Sequence, residues 1–495
     1  MSILRTKSVE ASIAHTDEPE HRLKKSLTAV DLTVFGIGVI IGAGIFTLTG
    51  RAAADYAGPA IVISFAIAAV ACGLSALCYA EFASTVPVSG SAYTFSYATL
   101  GEIVAWIIGW DLLLEMMLGA SVVAQGWSQY FVLFLHNLGV PLFPHSLAPG
   151  NGPFDLAAFL LVAVITALVA YGIKESMRVN LVFVGIKLFI VLFVIVAGLR
   201  FINPANYTPF IPAAQPPAES AASILHQPLL QIFFGLNPTV YGWGGILAGA
   251  SLVFFAYIGF DVVATTAEEA RNPQRDLPVG IIASLIICTF LYVAVSLVIT
   301  GMVKYDQINP KAALAAAFES VGQPWAATLI SAGAVAGLFT VVMTLLIGAT
   351  RVIFAMCRDH LLPPSWGLTN PRTGTPVRLT VGIGLLVALV ASLTPIGELE
   401  EMVNIGTLSA FVLVSLAVPV LRRRRPDLQR SFKVPLSPAL PWIAALTSLY
   451  LMLNLPLDTW LRFLIWMIIG FAIYFTYGYR NSRLNKEPEL PFFEH

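Results

Sequence analysis

The chain has 495 residues, of which 57% are hydrophobic and only 11% charged, and its mean hydropathy is +0.80. Soluble domains carry about 25% charged residues, so this composition excludes a water-soluble globular protein. With 28 basic and 28 acidic residues the formal net charge is zero, which removes the electrostatic footing for a nucleic-acid partner.

In chain order, residues 1–28 are polar and of mixed charge, a tail with no signal-peptide pattern, so targeting is expected from the first hydrophobic helix. A hydrocarbon core about 30 Å thick takes roughly 20 apolar residues per helix. Runs of that length fall near 29–49, 58–84, 101–134, 155–173, 179–199, 245–267, 277–303, 325–357, 379–396, 401–421, 438–456 and 460–480. An all-α integral membrane protein with twelve spans is expected. The third, seventh and eighth runs exceed one span and should tilt or extend into water. Residues 203–244 form a long loop rich in Pro and Ala. Its apolar stretch 224–234, broken by Pro228, reads as an interfacial or capping piece.

Placing both termini in the cytoplasm puts twenty-two basic residues inside, five outside (Arg51, Arg200, Lys304, Lys311, Arg462) and Lys187 within a span. That bias, with an even span count, orients the chain by the positive-inside rule. The run Arg422 to Arg425 reads as a topology anchor, with contact to anionic lipid head groups as an addition. The four cysteines lie in apolar runs as packing residues, and Cys72 and Cys78 sit too far apart along one helix to bridge.

The first span contains Gly36-Ile-Gly-Val-Ile-Ile-Gly-Ala-Gly-Ile-Phe46. Glycine costs a helix about 1 kcal/mol relative to alanine, and Gly42-Ala43-Gly44 near mid-span is a point of unwinding. Amides at the start of the following half-helix attract a carboxylate, and freed carbonyls before the break receive an ammonium. Together they match the head of an amino acid. The same glycines also suit close helix packing. The sixth span, with Phe254-Phe-Ala-Tyr-Ile-Gly-Phe-Asp261, tips the balance. A second interruption five helices on is where an inverted repeat places its partner break.

These residues, with Tyr79-Ala-Glu81, Pro87-Val-Ser-Gly-Ser-Ala-Tyr93, Glu268 to Pro278, Thr350-Arg351 and Arg358-Asp359, resemble the amino acid–polyamine–organocation superfamily. Within it the chain looks like bacterial members of the cationic amino acid transporter group. His360 departs from the pattern, many relatives having glycine there. The resemblance implies a LeuT-type fold. Its parts would be a cytoplasmic tail (1–28), a five-helix repeat (29–200), an external loop (201–244) and a second, inverted repeat (245–421). A basic cytoplasmic loop (422–437), two peripheral helices (438–480) and a cytoplasmic tail (481–495) follow. It also implies carboxylate binding by the amides of Ala43 and Gly44, with Gly42 giving the turn. Ammonium binding would fall to the carbonyls of Ile40, Phe255, Ala256 and Ile258, with the Phe255 ring closing over the substrate.

Lys187 lies about 12 Å into the fifth span at 1.5 Å per residue, too deep to escape by snorkelling. By resemblance it takes the place of a sodium ion and bonds the carbonyls of Gly38 and Ile41, so the proton is the expected coupling ion. Glu115, mid-way along the third span, either relays protons or orders water near the substrate, or else makes a structural hydrogen bond to a neighbouring helix. Asp261 either lines the inner pathway or caps the broken helix. Glu268, Glu269, Arg271 and Arg275 lie at the inner mouth, where they read as a solvated charge cluster, with a gate salt bridge as the alternative. The resemblance places the side-chain pocket on the third, sixth and eighth spans, with Met116, Met117, Phe255, Leu345 and Leu346 as its candidates. Leu345 stands where cation-selective relatives carry a small polar residue, and a leucine there dries the pocket against a charged head. The expected function is therefore a proton-coupled permease favouring small neutral L-amino acids. A cationic transporter, an exchanger and a transporter-like sensor are the alternatives. HExxH, GxSxG and metal-ligand clusters are missing from the sequence, so an enzyme and a cofactor are not expected. A monomer in the cell membrane is expected, with the bilayer and the amino acid as partners and room for a small single-span companion.

Overall fold

The computed structural model describes residues 27–86, 91–140, 152–172, 177–216, 223–236, 239–370 and 375–486. The amino-terminal basic residues Arg5, Lys7, Arg22, Lys24 and Lys25, the 87–90 part of the motif, Lys174, Arg372 and the tail beyond 486 lie outside the described residues. Among those described, the chain is helical with three isolated β-bridges and no strand. Eight helices are long and apolar enough to cross a membrane: Gly44–Thr85, Glu102–Asn137, Val179–Phe201, Gly242–Ala264, Pro273–Met302, Pro324–Arg358, Ile396–Arg424 and Leu457–Asn481. Four shorter apolar helices accompany them: Ala29–Ile40, Leu156–Ala170, Val377–Leu393 and Ala439–Leu453.

For reference, α1 is Ala29–Ile40, α2 Ile61–Thr85, α3 Ser91–Thr99, α4 Glu102–Asn137, α5 Leu156–Ala170 and α6 Met177–Gly198. Then α7 is Leu229–Phe234, α8 Gly242–Val253, α9 Pro273–Met302, α10 Ala313–Ser320 and α11 Pro324–Arg358. Last come α12 Val377–Leu393, α13 Ile396–Arg424, α14 Ala439–Leu453 and α15 Leu457–Ile473.

Local chemistry explains where these helices begin. A capping box starts α1: the Thr28 amide donates to Asp31 Oδ2 at 2.9 Å while the Asp31 amide donates to Thr28 Oγ1 at 3.4 Å. Asp155 caps α5, accepting from the Ala158 amide at 3.0 Å and from Ser128 Oγ at 2.7 Å. Proline opens α9 and α11, where its missing N–H costs nothing.

Helix α9 packs along α1 and α2, and α4 packs along α11 and α13. Small residues set the closest crossings: a methyl group on Gly36 would strike Ser284 of α9, and one on Gly280 would strike Leu32 of α1. Many large apolar side chains stay exposed, among them Val164, Leu181, Phe189, Phe290, Leu385 and Leu464. Such a surface suits acyl chains, not water. All four cysteines are free and buried.

The arginine run at the end of α13 is more engaged than a bare topology anchor. Arg422 forks onto the buried Glu81 of α2, Nε to Oε1 at 2.8 Å and Nη2 to Oε2 at 2.5 Å, and the Val434 amide donates to Oε2 at 2.7 Å. Arg424 Nη1 donates to Thr99 O at 3.1 Å. Arg425 grips Asp427 and holds that exposed carboxyl below the usual carboxylate range. The stretch expected to cap is a short 3₁₀ turn, Ile224–His226, followed by α7. It docks on the α14–α15 turn, the Leu229 amide donating to Leu455 O at 3.1 Å.

Candidate functional site

Two interruptions of the helical chain cross each other inside the bundle. The first follows α1: Ile41 leaves helical geometry with ψ 86°, and the chain resumes as the π-helix Gly44–Leu48, Thr49–Ala52 and the π-helix Ala53–Ala57. The Ala43 and Gly44 amides open that second half, where a helix leaves its first N–H groups without internal partners. The other follows α8, which tightens into the 3₁₀ turn Phe254–Tyr257 and then breaks. Ile258 is extended at ψ 138°, Gly259 takes φ +118°, and a 3₁₀ stretch resumes at Asp261–Glu269. Only glycine enters that positive-φ region without strain.

The glycines of the first span divide between the two roles read from the sequence. Gly36 serves packing against α9, and Gly38 faces Val184 of α6, where a Cβ would come within 2.6 Å of Cγ2. Gly44 sets the crossing, since a methyl there would overlap the Cα and Cβ of Ala256. Gly259 does so from the other side: a Cβ would sit 2.7 Å from Val39 Cγ1 and 3.3 Å from the Ile40 nitrogen.

Tyr292 of α9, fully buried, bridges the breaks. Its hydroxyl reaches Ile40 O at 2.6 Å and Ala256 O at 2.9 Å, so one proton serves two carbonyls. The Phe255 carbonyl accepts from the Ile258 amide at 3.1 Å. Three of the four carbonyls expected to hold an ammonium are thus engaged within the protein, each with a second lone pair left over. Asn404 of α13 reaches the last carbonyls of α8, donating to Ser251 O at 2.9 Å and Leu252 O at 3.2 Å. Sequence reading missed Tyr292 and Asn404. Each lies among several other polar residues of its span, so nothing in the sequence singled it out.

Lys187 of α6 is 1% exposed and its Nζ donates to Gly38 O at 2.6 Å, in the last turn before the first break. Its stem lies against α11, where a Cβ on Gly337 would meet Lys187 Cγ at 2.7 Å. Glu115 of α4, also 1% exposed, has Asp261, Asp111 and Thr407 as electrostatic neighbours, whereas Lys187 is the neighbour of Cys288. The two expected proton-coupling residues therefore occupy different surroundings. Asp261 Oδ1 accepts from the Gly259 amide at 3.3 Å, which is the capping role. At the start of α1, the Leu27 amide donates to Glu269 O at 2.9 Å and the Arg271 amide to Leu27 O at 2.8 Å. Their main chains thus join the two broken segments.

Val341 of α11 faces Gly42, with Cγ1 3.4 Å from where a Cβ would lie. Leu345, one turn on and 5% exposed, shares that face. Met116 and Leu345 both lie at the α4–α11 crossing: Met116 Sδ fills the space beside Gly348, and Leu345 Cδ1 stands 3.5 Å from a Cβ built on Gly119. Phe255 is buried at 7% exposure.

A bundle of apolar helices, two of them broken against each other, is the arrangement of a membrane carrier. The chain belongs to the amino acid permease family, whose model matches residues 27–474. It is 48% identical to the branched-chain amino acid permease BcaP of Bacillus subtilis, over 98% of this chain and 99% of that one. It is 43% identical to the methylthioribose transporter of Bacillus subtilis, over 98% of this chain and all of the relative. A vacuolar cationic amino acid transporter 4 of Arabidopsis thaliana is 40% identical over 86% of this chain and 68% of its own length. The superfamily resemblance read from the motifs is thereby established.

Proposed function

We propose that this chain is a proton-coupled amino acid permease with twelve spans in the LeuT-type arrangement, both termini cytoplasmic and the substrate held at the crossed breaks. The observation that carries the reading is the close crossing of the two breaks at Gly44 against Ala256, with Tyr292 joining Ile40 to Ala256. The substrate carboxylate takes the amides of Ala43 and Gly44. Its ammonium shares the carbonyls of Ile40, Phe255, Ala256 and Ile258 with the Tyr292 hydroxyl, and the Phe255 ring closes over it. Protonated Lys187 supplies the positive charge where a sodium ion would sit, and its proton is the one exchanged during the cycle. Glu115 joins it as a second proton group near the other break.

The buried, apolar side chains of Met116 and Leu345 favour a neutral substrate, alanine above arginine. A charged head placed there loses hydration without gaining partners. The similarity to BcaP favours a second reading in which branched aliphatic amino acids are carried through the same lining. Uptake of radiolabelled compounds into proteoliposomes separates these, with proton and sodium gradients imposed separately. Accumulation of neutral amino acids driven by the proton gradient alone is expected. Arginine uptake with little alanine uptake would overturn the substrate reading, and uptake of methylthioribose with no amino acid would overturn the permease reading.

A further inference from the structure

Asp111 of α4 is fully buried, one helical turn before Glu115. Residues so spaced share a helix face, with Cβ atoms about 5–6 Å apart. That face meets α13: a Cβ on Gly406 would lie 3.8 Å from Asp111 O, and Thr407 is a neighbour of Glu115. Ser409, the next polar residue of α13, bonds Asp111 Oδ2.

Three buried oxygens here have no hydrogen-bond partner in the protein: Asp111 Oδ1, Glu115 Oε1 and the Tyr79 hydroxyl of α2. Tyr79 and Asp261 are the titratable groups that face the two carboxyls from other segments, and α13 presents the hydroxyls of Thr407 and Ser409. Among the described residues no titratable group of α5, α11 or α12 is a neighbour of either carboxyl, and neither forms an ion pair. The Ser409 hydroxyl has one proton and two acceptors within reach, Asp111 Oδ2 and Gly406 O at 2.9 Å. A neutral Asp111 satisfies all three groups, the acid donating to Ser409 and Ser409 to Gly406. An ionised Asp111 would stand in an apolar bundle with no cation and one shared donor, which is costly.

We propose that Asp111 is a proton carrier of the transport cycle, holding a proton in this state and forming with Glu115 a two-carboxyl file along the α4–α13 seam. This rests on the proton-coupled reading above. In that orientation α4 starts at the cytoplasmic side, so Asp111 stands between Glu115 and the cytoplasm. When the site faces inside, the Asp111 O–H bond breaks and its proton leaves for the cytoplasm. The Glu115 O–H bond then breaks, and its proton forms a new O–H bond on the Asp111 carboxylate. The negative charge thereby moves to Glu115, which is reprotonated when the site faces outside. The two carboxyls are never ionised together, as like charges this close disfavour.

The test is Asp111→Asn, which keeps the shape and a donor for Ser409 but cannot titrate. In proteoliposomes holding the full-length protein it should lose accumulation driven by a proton gradient, falling to the level measured with the gradient collapsed. Exchange of labelled for unlabelled substrate and the melting temperature should stay at the parent's values. Accumulation equal to the parent's would overturn the proposal and leave Asp111 a neutral tie between α4 and α13. Asp111→Glu keeps a titrating group and decides the matter should the amide fail to fold. Its accumulation should persist with a shifted pH midpoint, and an unmoved midpoint would overturn the carrier. The parent is read first. A parent whose accumulation ignores the proton gradient removes the proton-coupled reading itself, whereas a responsive parent beside an unaffected Asp111→Asn variant removes only the file.

Discussion

Tyr292 places one hydroxyl between two carbonyls that no helix can satisfy, Ile40 O and Ala256 O. Tyr292→Phe should destabilise the protein by about 1–3 kcal/mol, the cost of stranding buried polar groups, and raise the KM for amino acid uptake. Thermal unfolding and uptake kinetics check this. An unchanged KM with a lowered melting temperature would make the hydroxyl purely structural. Lys187→Ala should abolish accumulation driven by a proton gradient while leaving exchange between labelled and unlabelled substrate. Undiminished proton-driven accumulation would remove the coupling role. Leu345→Ser, which wets the pocket, should raise arginine uptake relative to alanine, and an unchanged ratio would detach Leu345 from specificity. The depth of Lys187 was legible in the sequence, because a lone cation in an apolar run must find a carbonyl. Tyr292 was not, because tyrosine is at home in any apolar span and its partners exist only once two distant segments meet.

At the scale of elements, the breaks could be read from glycine placement, but their different constructions could not. The first resumes as π-helix and the second as 3₁₀-helix. Both are local hydrogen-bond shifts, set by tertiary contacts that periodicity does not encode. The Tyr130 hydroxyl, for instance, takes Phe46 O at 2.6 Å inside the π turn. Nor did the sequence say which glycine breaks the chain and which lets a neighbour approach. Gly36 and Gly44 look alike until α9 and Ala256 are in place. Gly44→Ala should therefore force the two breaks apart, lowering stability by about 1–3 kcal/mol as overpacking does and eliminating uptake. Normal uptake by that variant would remove the crossing from the transport mechanism. The backbone at His360 lies at φ +61°, where the glycine that many relatives carry fits without strain.

For the whole molecule, composition and hydropathy were enough to make the chain a helical membrane protein, since nothing else can hide so little charge. The long helices α4, α9 and α11, 36, 30 and 35 residues, exceed one bilayer thickness as their runs suggested. The ties at opposite ends of the broken segments were not legible. They pair Leu27 with Glu269 and Arg271, and Arg51 with Glu400, across more than 200 residues of sequence. Both ties are made in the same structure. The most direct measurement is competition for uptake of the preferred amino acid by analogues lacking one end of the zwitterion: its methyl ester, its decarboxylated amine and its deaminated acid. If main-chain amides and carbonyls grip both ends, none of the three should compete at concentrations where the parent amino acid does. Competition by the ester or the amine as strong as by the amino acid itself would contradict the crossed breaks as the binding site.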